Sequence, residues 1–467
     1  MANLTAKELK EKLFADKKNA VLRMSEDELK KCDKFCEGYK AFLDIAKTER
    51  EASAESVKMA KARGFAEFSA KNKYKPGDKV YYLNREKSVI LAIIGRESIE
   101  NGVNLVAAHI DSPRLDMKQN PLYEKDEVAY FKTHYYGGIK KYQWVTIPLE
   151  MHGVVALKNG ELVDIVIGRD ADDPQFVITD LLPHLAKDQV SKTMAEGITG
   201  EGLNILIGSA PYAGEGSDRV KLAVMSILND RYGICEEDFL SAELTAVPAF
   251  DVREVGLDRS LIGGYGHDDR VCAFAELQAM FDMDEVPSKT CVCLLADKEE
   301  IGSMGVSGMQ SQAFECFMED LCEQQGASLR RCFENSFCIS ADVNNAFDPN
   351  FPEVSKKRNE AKLNYGVGIC KFTGARGKSG TSDASAEVVA HLRRIFADNS
   401  VVWQMCELGK VDQGGGGTIA QYMANRNIDT IDAGVPVLSM HAPFEVVSKF
   451  DCYMTYKAVL SAYNEKY

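Results

Sequence analysis

The sequence lacks the excess of positive charge that nucleic acid demands. Acidic residues outnumber basic ones, 70 to 56, for a net charge of −14, and a phosphate-binding surface wants the opposite balance. No apolar run approaches the roughly 20 residues that cross a bilayer, and the stretch up to Glu8 has no apolar signal core. Neither a membrane nor a nucleic acid is therefore an expected partner. Paired Cys-x-x-Cys motifs are also absent. The thirteen cysteines are odd in number and scattered. Cys291 and Cys293 alternate along a strand-like run, and Cys32 and Cys36 fall at helical spacing. This excludes a cysteine-held zinc site and fits reduced, mostly buried thiols in the cytoplasm. No tandem repeat or low-complexity segment is present.

What remains is an ordinary globular composition, 45% apolar over 467 residues, enough for one large domain carrying an insertion. The first seventy residues read as helical, with capping boxes at Thr5/Glu8 and Ser25/Glu28. From Lys79 the texture changes to strands at Val80-Tyr-Tyr-Leu, Ser88-Val-Ile-Leu-Ala-Ile-Ile and Leu105-Val-Ala-Ala-His. Residues 128–245 differ again. Short strand-like runs, Gly153-Val-Val-Ala-Leu and Leu162-Val-Asp-Ile-Val-Ile, flank a polar middle from Ala186 to Leu206 that reads as loop. Beyond Ala249 apolar strands alternate with helices over Asp269–Asp282, Ser311–Gln325 and Ser385–Arg394. The pattern predicts an α/β fold with a mostly parallel central sheet flanked by helices. Residues 1–127 and 246–467 would form one discontinuous domain, with 128–245 inserted into it.

Clusters of imidazole and carboxylate end several of the predicted strands. His109-Ile-Asp follows Val106-Ala-Ala, Glu299-Glu300 follows Leu294-Leu-Ala-Asp-Lys, Asp342 follows Cys338-Ile-Ser-Ala, and His441 follows Val437-Leu-Ser-Met. One parallel sheet would bring these carboxyl ends together, which is where open α/β sheets bind ligands. With Asp268-Asp-Arg they supply the parts of a two-metal hydrolytic centre. Two divalent ions about 3.5–4 Å apart can share a carboxylate and a water. Asp268 would bridge, His109 and Asp342 would complete one ion, and Glu300 and His441 the other. Nitrogen and oxygen donors without sulfur suit Zn²⁺, with Co²⁺ or Mn²⁺ as replacements. Asp111 would accept the second imidazole N–H of His109 and fix its tautomer. Glu299, left free of metal, would act as general base on the shared water and hand the proton to the leaving amine.

The stretches Val106-Ala-Ala-His-Ile-Asp-Ser-Pro-Arg-Leu-Asp, Asp297-Lys-Glu-Glu-Ile-Gly-Ser, Ser340-Ala-Asp-Val, Gly416-Gly-Thr-Ile-Ala and Ser439-Met-His-Ala resemble the aspartyl aminopeptidase family. This is metallopeptidase family eighteen, which also holds vacuolar aminopeptidase I, and the likeness is to its bacterial branch. It runs from about residue 80 to the C-terminus. The resemblance implies a di-zinc aminopeptidase that removes one N-terminal residue from a peptide. By motif position the ligands are His109, Asp268, Glu300, Asp342 and His441, with Glu299 as base. It also implies a cis peptide between Asp268 and Asp269, an inserted dimerisation domain, and a dodecamer built from dimers. Leu181-Leu-Pro-His-Leu-Ala resembles the insert motif whose histidine reaches a partner subunit's site, so His184 would bind the oxyanion of the tetrahedral intermediate.

The chain departs from the animal and fungal branch at Gly266-His-Asp-Asp-Arg and at Arg376-Gly-Lys-Ser-Gly-Thr-Ser-Asp. The second difference leaves the preferred N-terminal residue open. Lys378 would bind an acidic side chain if that preference holds. The glycines from Gly414 to Gly417, Gly416 among them, would form a tight turn beside the substrate backbone. His267 reads as structural. His134 and Tyr136 are candidates for the cleft wall, and His152 and His391 receive no chemistry. Two other functions use the same parts. One is a di-zinc deacylase acting on N-acyl amino acids. The other is an assembly or cargo protein with a dead site, which would have lost a ligand or the base; none is missing here.

Overall fold

The computed structural model describes residues 5–15 and 18–465. The amino-terminal capping boxes form as expected, at Thr5/Glu8 and Ser25/Glu28, and a third forms at Thr48/Glu51. They start helices Ala6–Leu13, Glu26–Ile45 and Glu49–Lys61. Residues 1–4, where a signal core was sought, lie outside the described residues. No helix among the described residues is long and apolar enough to cross a membrane.

A nine-stranded sheet forms the centre of the larger domain. Its middle is parallel: Thr290–Ala296, Val103–His109, Phe337–Ser340 and Asp429–Gly434 lie side by side in that order. Ser88–Ile93 and Val367–Cys370 border them antiparallel, so the sheet is parallel at its core and mixed at its margins. The central strands read as unbroken apolar runs because both faces are covered. Alternation then divides their side chains. Val106, Ala108, Cys291, Cys293 and Leu295 face the layer of Glu26–Ile45, His267–Phe281 and Lys449–Tyr463. Leu105, Ala107, Val292 and Leu294 face the layer of Ala313–Gln325 and Leu329–Glu334.

A second, antiparallel sheet of six strands has its own core around Trp144, Phe131 and Leu149. It extends past the expected 128–245 segment. Arg114–Lys125 pairs with Val128–Tyr136 as a hairpin turning at Asp126-Glu127, both at positive φ, 50° and 61°, as a tight hairpin turn requires. Val128 thus opens the second strand of that hairpin, and the last strand of this sheet runs through Pro248. The segment Ala186–Leu206 also differs from a loop. It contains the short helices Lys187–Val190 and Met194–Gly197 and leads into strand Asn204–Gly208. A third sheet of five strands holds Pro436–Leu438. The expected strand at Val435–Ser439 therefore does not belong to the main sheet. Gly434 marks the departure, since a Cβ there would sit 1.9 Å from the Asp342 carbonyl oxygen.

Candidate active site

Three loops leaving the carboxyl edge of the parallel strands, one helix start and one turn of the third sheet converge on a single cleft. His109 ends Val103–His109, and Asp342 lies two residues past Phe337–Ser340. Glu299 and Glu300 form a 3-10 turn just past Thr290–Ala296, and Asp268 opens helix His267–Phe281. His441 comes from the turn after Pro436–Leu438, not from the parallel sheet. The Asp268–Asp269 peptide is cis, as expected.

Asp268 sits between the two histidines. Its Oδ1 is 3.1 Å from His109 Nε2 and its Oδ2 is 3.1 Å from His441 Nε2. Asp342 Oδ1 lies 3.9 Å from His109 Nε2, and Glu300 Oε2 lies 3.4 Å from His441 Nε2. These are two triads, His109/Asp268/Asp342 and Asp268/Glu300/His441, joined through Asp268 and each able to hold a metal ion. Glu299 belongs to neither, and its Oε2 lies 4.0 Å from His109 Nε2.

Burial sets the electrostatics of these crowded acids. Burial lifts Asp342 and Glu300 well above the carboxylate range and lifts Glu299 to about 7. Asp268 is the exception: burial raises it, but hydrogen bonds from His109 and His441 outweigh that and hold it below its usual value. Burial opposes charge on His441 as well, yet Asp268 and Glu300 bring it up to about 10. Lys298 is turned to Asp297, 3.7 Å away. Glu300 Oε1 is buried without a hydrogen-bond partner, a costly state for a carboxylate oxygen unless a ligand meets it. The donor set fits divalent metal.

Around these groups a second ring of contacts fixes backbone and tautomers. His109 Nδ1 donates to the backbone carbonyl of Asp111 at 3.0 Å, with the carboxylate farther, at 3.3 Å. The carboxylate that was expected to set the tautomer mainly does something else. It accepts the backbone N–H groups of Glu299 and Glu300 at 3.0 and 3.1 Å, and the Tyr136 hydroxyl at 2.8 Å. Glu445, which the sequence reading missed, accepts the N–H of Asp268 at 3.1 Å and of His441 at 2.7 Å. Its position four residues after His441 carries no recognisable signal. His267 is structural: it is buried, it contacts the Tyr39 hydroxyl through Nδ1 at 2.6 Å, and burial pushes it down to about 3. His152 lies buried between Glu51, 2.7 Å, and Glu150, 3.3 Å, where helix Glu49–Lys61 meets strand Leu149–Ala156. His134 is exposed on the second sheet.

The cleft encloses about 710 Å³ and is walled by Phe372, Lys378, Leu408 and Gly416, among others. Gly415–Gly416 pairs with Gly374–Ala375 as a two-stranded ribbon along that wall. Lys378 is already engaged, 2.7 Å from Asp383 and over the Phe372 ring at 4.0 Å. His184 is not among the residues lining this cleft. It sits on the exposed turn Pro183–Leu185.

The chain is similar in sequence and fold to known proteins. The family model for aminopeptidase I zinc metalloproteases (M18) matches residues 42–463. A probable M18 family aminopeptidase 1 from Borrelia garinii is 48% identical over 456 residues, covering 96% of this chain and 100% of its own. The crystal structure of an M18 aminopeptidase from Thermotoga maritima superposes with a TM-score of 0.93 at 44% identity, covering 97% and 100% of the two chains. That of aminopeptidase I from Clostridium acetobutylicum gives 0.91 at 46% identity, with the same coverage. With the family match, the sequence identity and the fold in common across nearly the whole length, the chain belongs to the M18 family of aminopeptidase I zinc metalloproteases.

Proposed function

We propose that this protein is a di-zinc aminopeptidase that removes the N-terminal residue of peptides with a free amino terminus. The observation that carries this is the placement of Asp268. Each of its oxygens lies 3.1 Å from a different imidazole, the geometry of a carboxylate shared by two ions. His109, Asp268 and Asp342 would hold one ion and Asp268, Glu300 and His441 the other, as Zn²⁺ with Co²⁺ or Mn²⁺ as substitutes. When bound, such ions lower the pKa of water and polarise the scissile carbonyl.

The protein's own groups do the rest. Glu299 takes the proton of the attacking water and passes it to the leaving amine. Asp111 keeps Glu299 and Glu300 in place through their backbone N–H groups. The Gly415–Gly416 ribbon offers backbone for the substrate to lie against. Lys378 would recognise an acidic side chain by exchanging its Asp383 partner for it.

The 128–245 insert, which supplies most of the second sheet and its loops, serves dimerisation, and dimers assemble to the dodecamer that the family resemblance implies. Leu181, Leu182 and Leu185 are half or more exposed on both sides of His184, an apolar surface suited to a second copy of the chain. From there His184 would reach the partner's cleft and stabilise the oxyanion. Thirteen free thiols support a reducing, cytoplasmic setting.

The test is a rate measurement on aminoacyl substrates before and after chelation. Activity is expected to vanish with the metal and to return with Zn²⁺, Co²⁺ or Mn²⁺. A metal-free protein at full rate would overturn the mechanism. Free peptides should be cut and amino-blocked ones spared; the reverse would move the reading to an N-acyl amino acid deacylase. His184→Phe is expected to lower kcat by roughly 10², the scale of a lost oxyanion donor, while metal content stays at the parent level. Full turnover in that variant would remove the cross-subunit role.

A further inference from the structure

We propose that Tyr136-Gly137-Gly138, where strand Val128–Tyr136 of the second sheet ends against Asp111, Glu300 and His441, is a positioning strap that sets both the base and one metal triad. The inference rests on the hydrolytic reading of the site.

Glu299–Ile301 is a single 3-10 turn, preceded by Lys298 at φ 68° and followed by Gly302 at φ 96°, and its N-cap residue supplies no side-chain cap. The amides that open such a turn need acceptors. Asp111, fully buried, provides them. Asp111 is in turn oriented by the Tyr136 hydroxyl, which donates to Oδ2 at 2.8 Å. Tyr136 cannot drift, because the Arg114 guanidinium lies over its ring at 4.1 Å. Arg114 is itself tied to Glu49 and Asp116, each at 2.8 Å. The placement of Glu299 is therefore relayed from the second domain through one hydroxyl and one carboxylate.

The next two residues touch the other side of the site. Gly137 has φ 76°, and a Cβ on it would meet Glu300 Cβ and Oε2 at 3.3 Å. A side chain here would be strained at this φ and would push on that carboxylate by a few tenths of an ångström, so glycine suits the close passage of the strap. The Gly138 carbonyl accepts His441 Nδ1–H at 2.8 Å, which leaves Nε2 facing Asp268 and Glu300. Contacts of this rank orient ligands and tune their basicity.

Three variants test the strap. Tyr136→Phe is expected to lose roughly ten- to a hundredfold in kcat, with KM held within about twofold. Asp111→Asn should lose kcat likewise, and the double variant should be little worse than Asp111→Asn alone, because the hydroxyl acts through that carboxylate. Gly137→Ala should weaken zinc binding, read by chelator competition, a readout independent of turnover. Parent-level kcat in Tyr136→Phe, full additivity in the double variant, or unaltered zinc affinity in Gly137→Ala would each overturn the inference. A parent protein that binds zinc but cleaves no free peptide would sink the aminopeptidase reading instead, and the zinc-affinity arm would still decide on the strap.

Discussion

Glu299→Gln is expected to lower kcat by at least about 10², the contribution of a positioned proton-transfer group, while metal content and KM stay near the parent's. Gln has the size of Glu and keeps the backbone N–H that Asp111 holds at 3.0 Å, so the turn survives. What is lost is a carboxyl that burial lifts to about 7, close to the pH at which a base must both accept and release a proton. It belongs to neither metal triad, so its removal should not release metal. Initial rates together with elemental analysis of the purified variant check this. Activity within tenfold of the parent would assign the proton transfer elsewhere, and loss of metal would make Glu299 a ligand.

Asp268→Asn should be more damaging still, for a different reason. Both triads depend on this one carboxylate, and the amide offers one neutral oxygen where two charged ones stood. Activity should drop by more than about a hundredfold, the upper range for residues that only support ligands, and zinc should be retained at neither subsite. Thermal melting gives a second readout. Zinc binds the folded parent and should raise its melting temperature in proportion to ligand excess over Kd, whereas the variant should show little shift. The metal-free variant should also melt below the metal-free parent, because buried His109, held raised by Asp111 and then by Asp268, would lose the second of these carboxylates, and half-buried His441 would lose its main one. A variant that binds zinc as the parent does would refute the bridging role.

The parts of this molecule differ in how plainly the sequence exposed them. Thr290-Cys-Val-Cys-Leu-Leu-Ala was legible as a strand because every residue in it is buried, and a doubly covered strand leaves no polar interruption. Arg114–Lys125 was not, because two buried pairs, Arg114-Leu115 and Pro121-Leu122, are set apart by half-buried and exposed residues such as Lys118, Gln119 and Asn120, and that texture does not say which sheet it joins. Its pairing with Val128–Tyr136 and Ala242–Pro248 decides the matter. His441 was recognisable by its motif but was expected at the edge of the wrong sheet. Gly434 lets the chain leave the main sheet beside Asp342 and approach the site from the third.

The sequence by itself determined the inventory: which carboxylates and imidazoles stand at the ends of apolar strands, that Glu299 and Glu300 are adjacent, and that sulfur donors are absent. Those are local properties, fixed by residue type and burial periodicity. Only the tertiary structure decided the division of labour. The two oxygens of Asp268 point to opposite histidines, Asp111 serves two backbone amides more than an imidazole, and no motif marks Glu445 as the acceptor for Asp268 and His441 or Tyr136 as the donor to Asp111. These roles depend on directions at about 3 Å between groups far apart in the chain, where hydrogen-bond strength falls steeply with angle, and no spacing along the sequence encodes them.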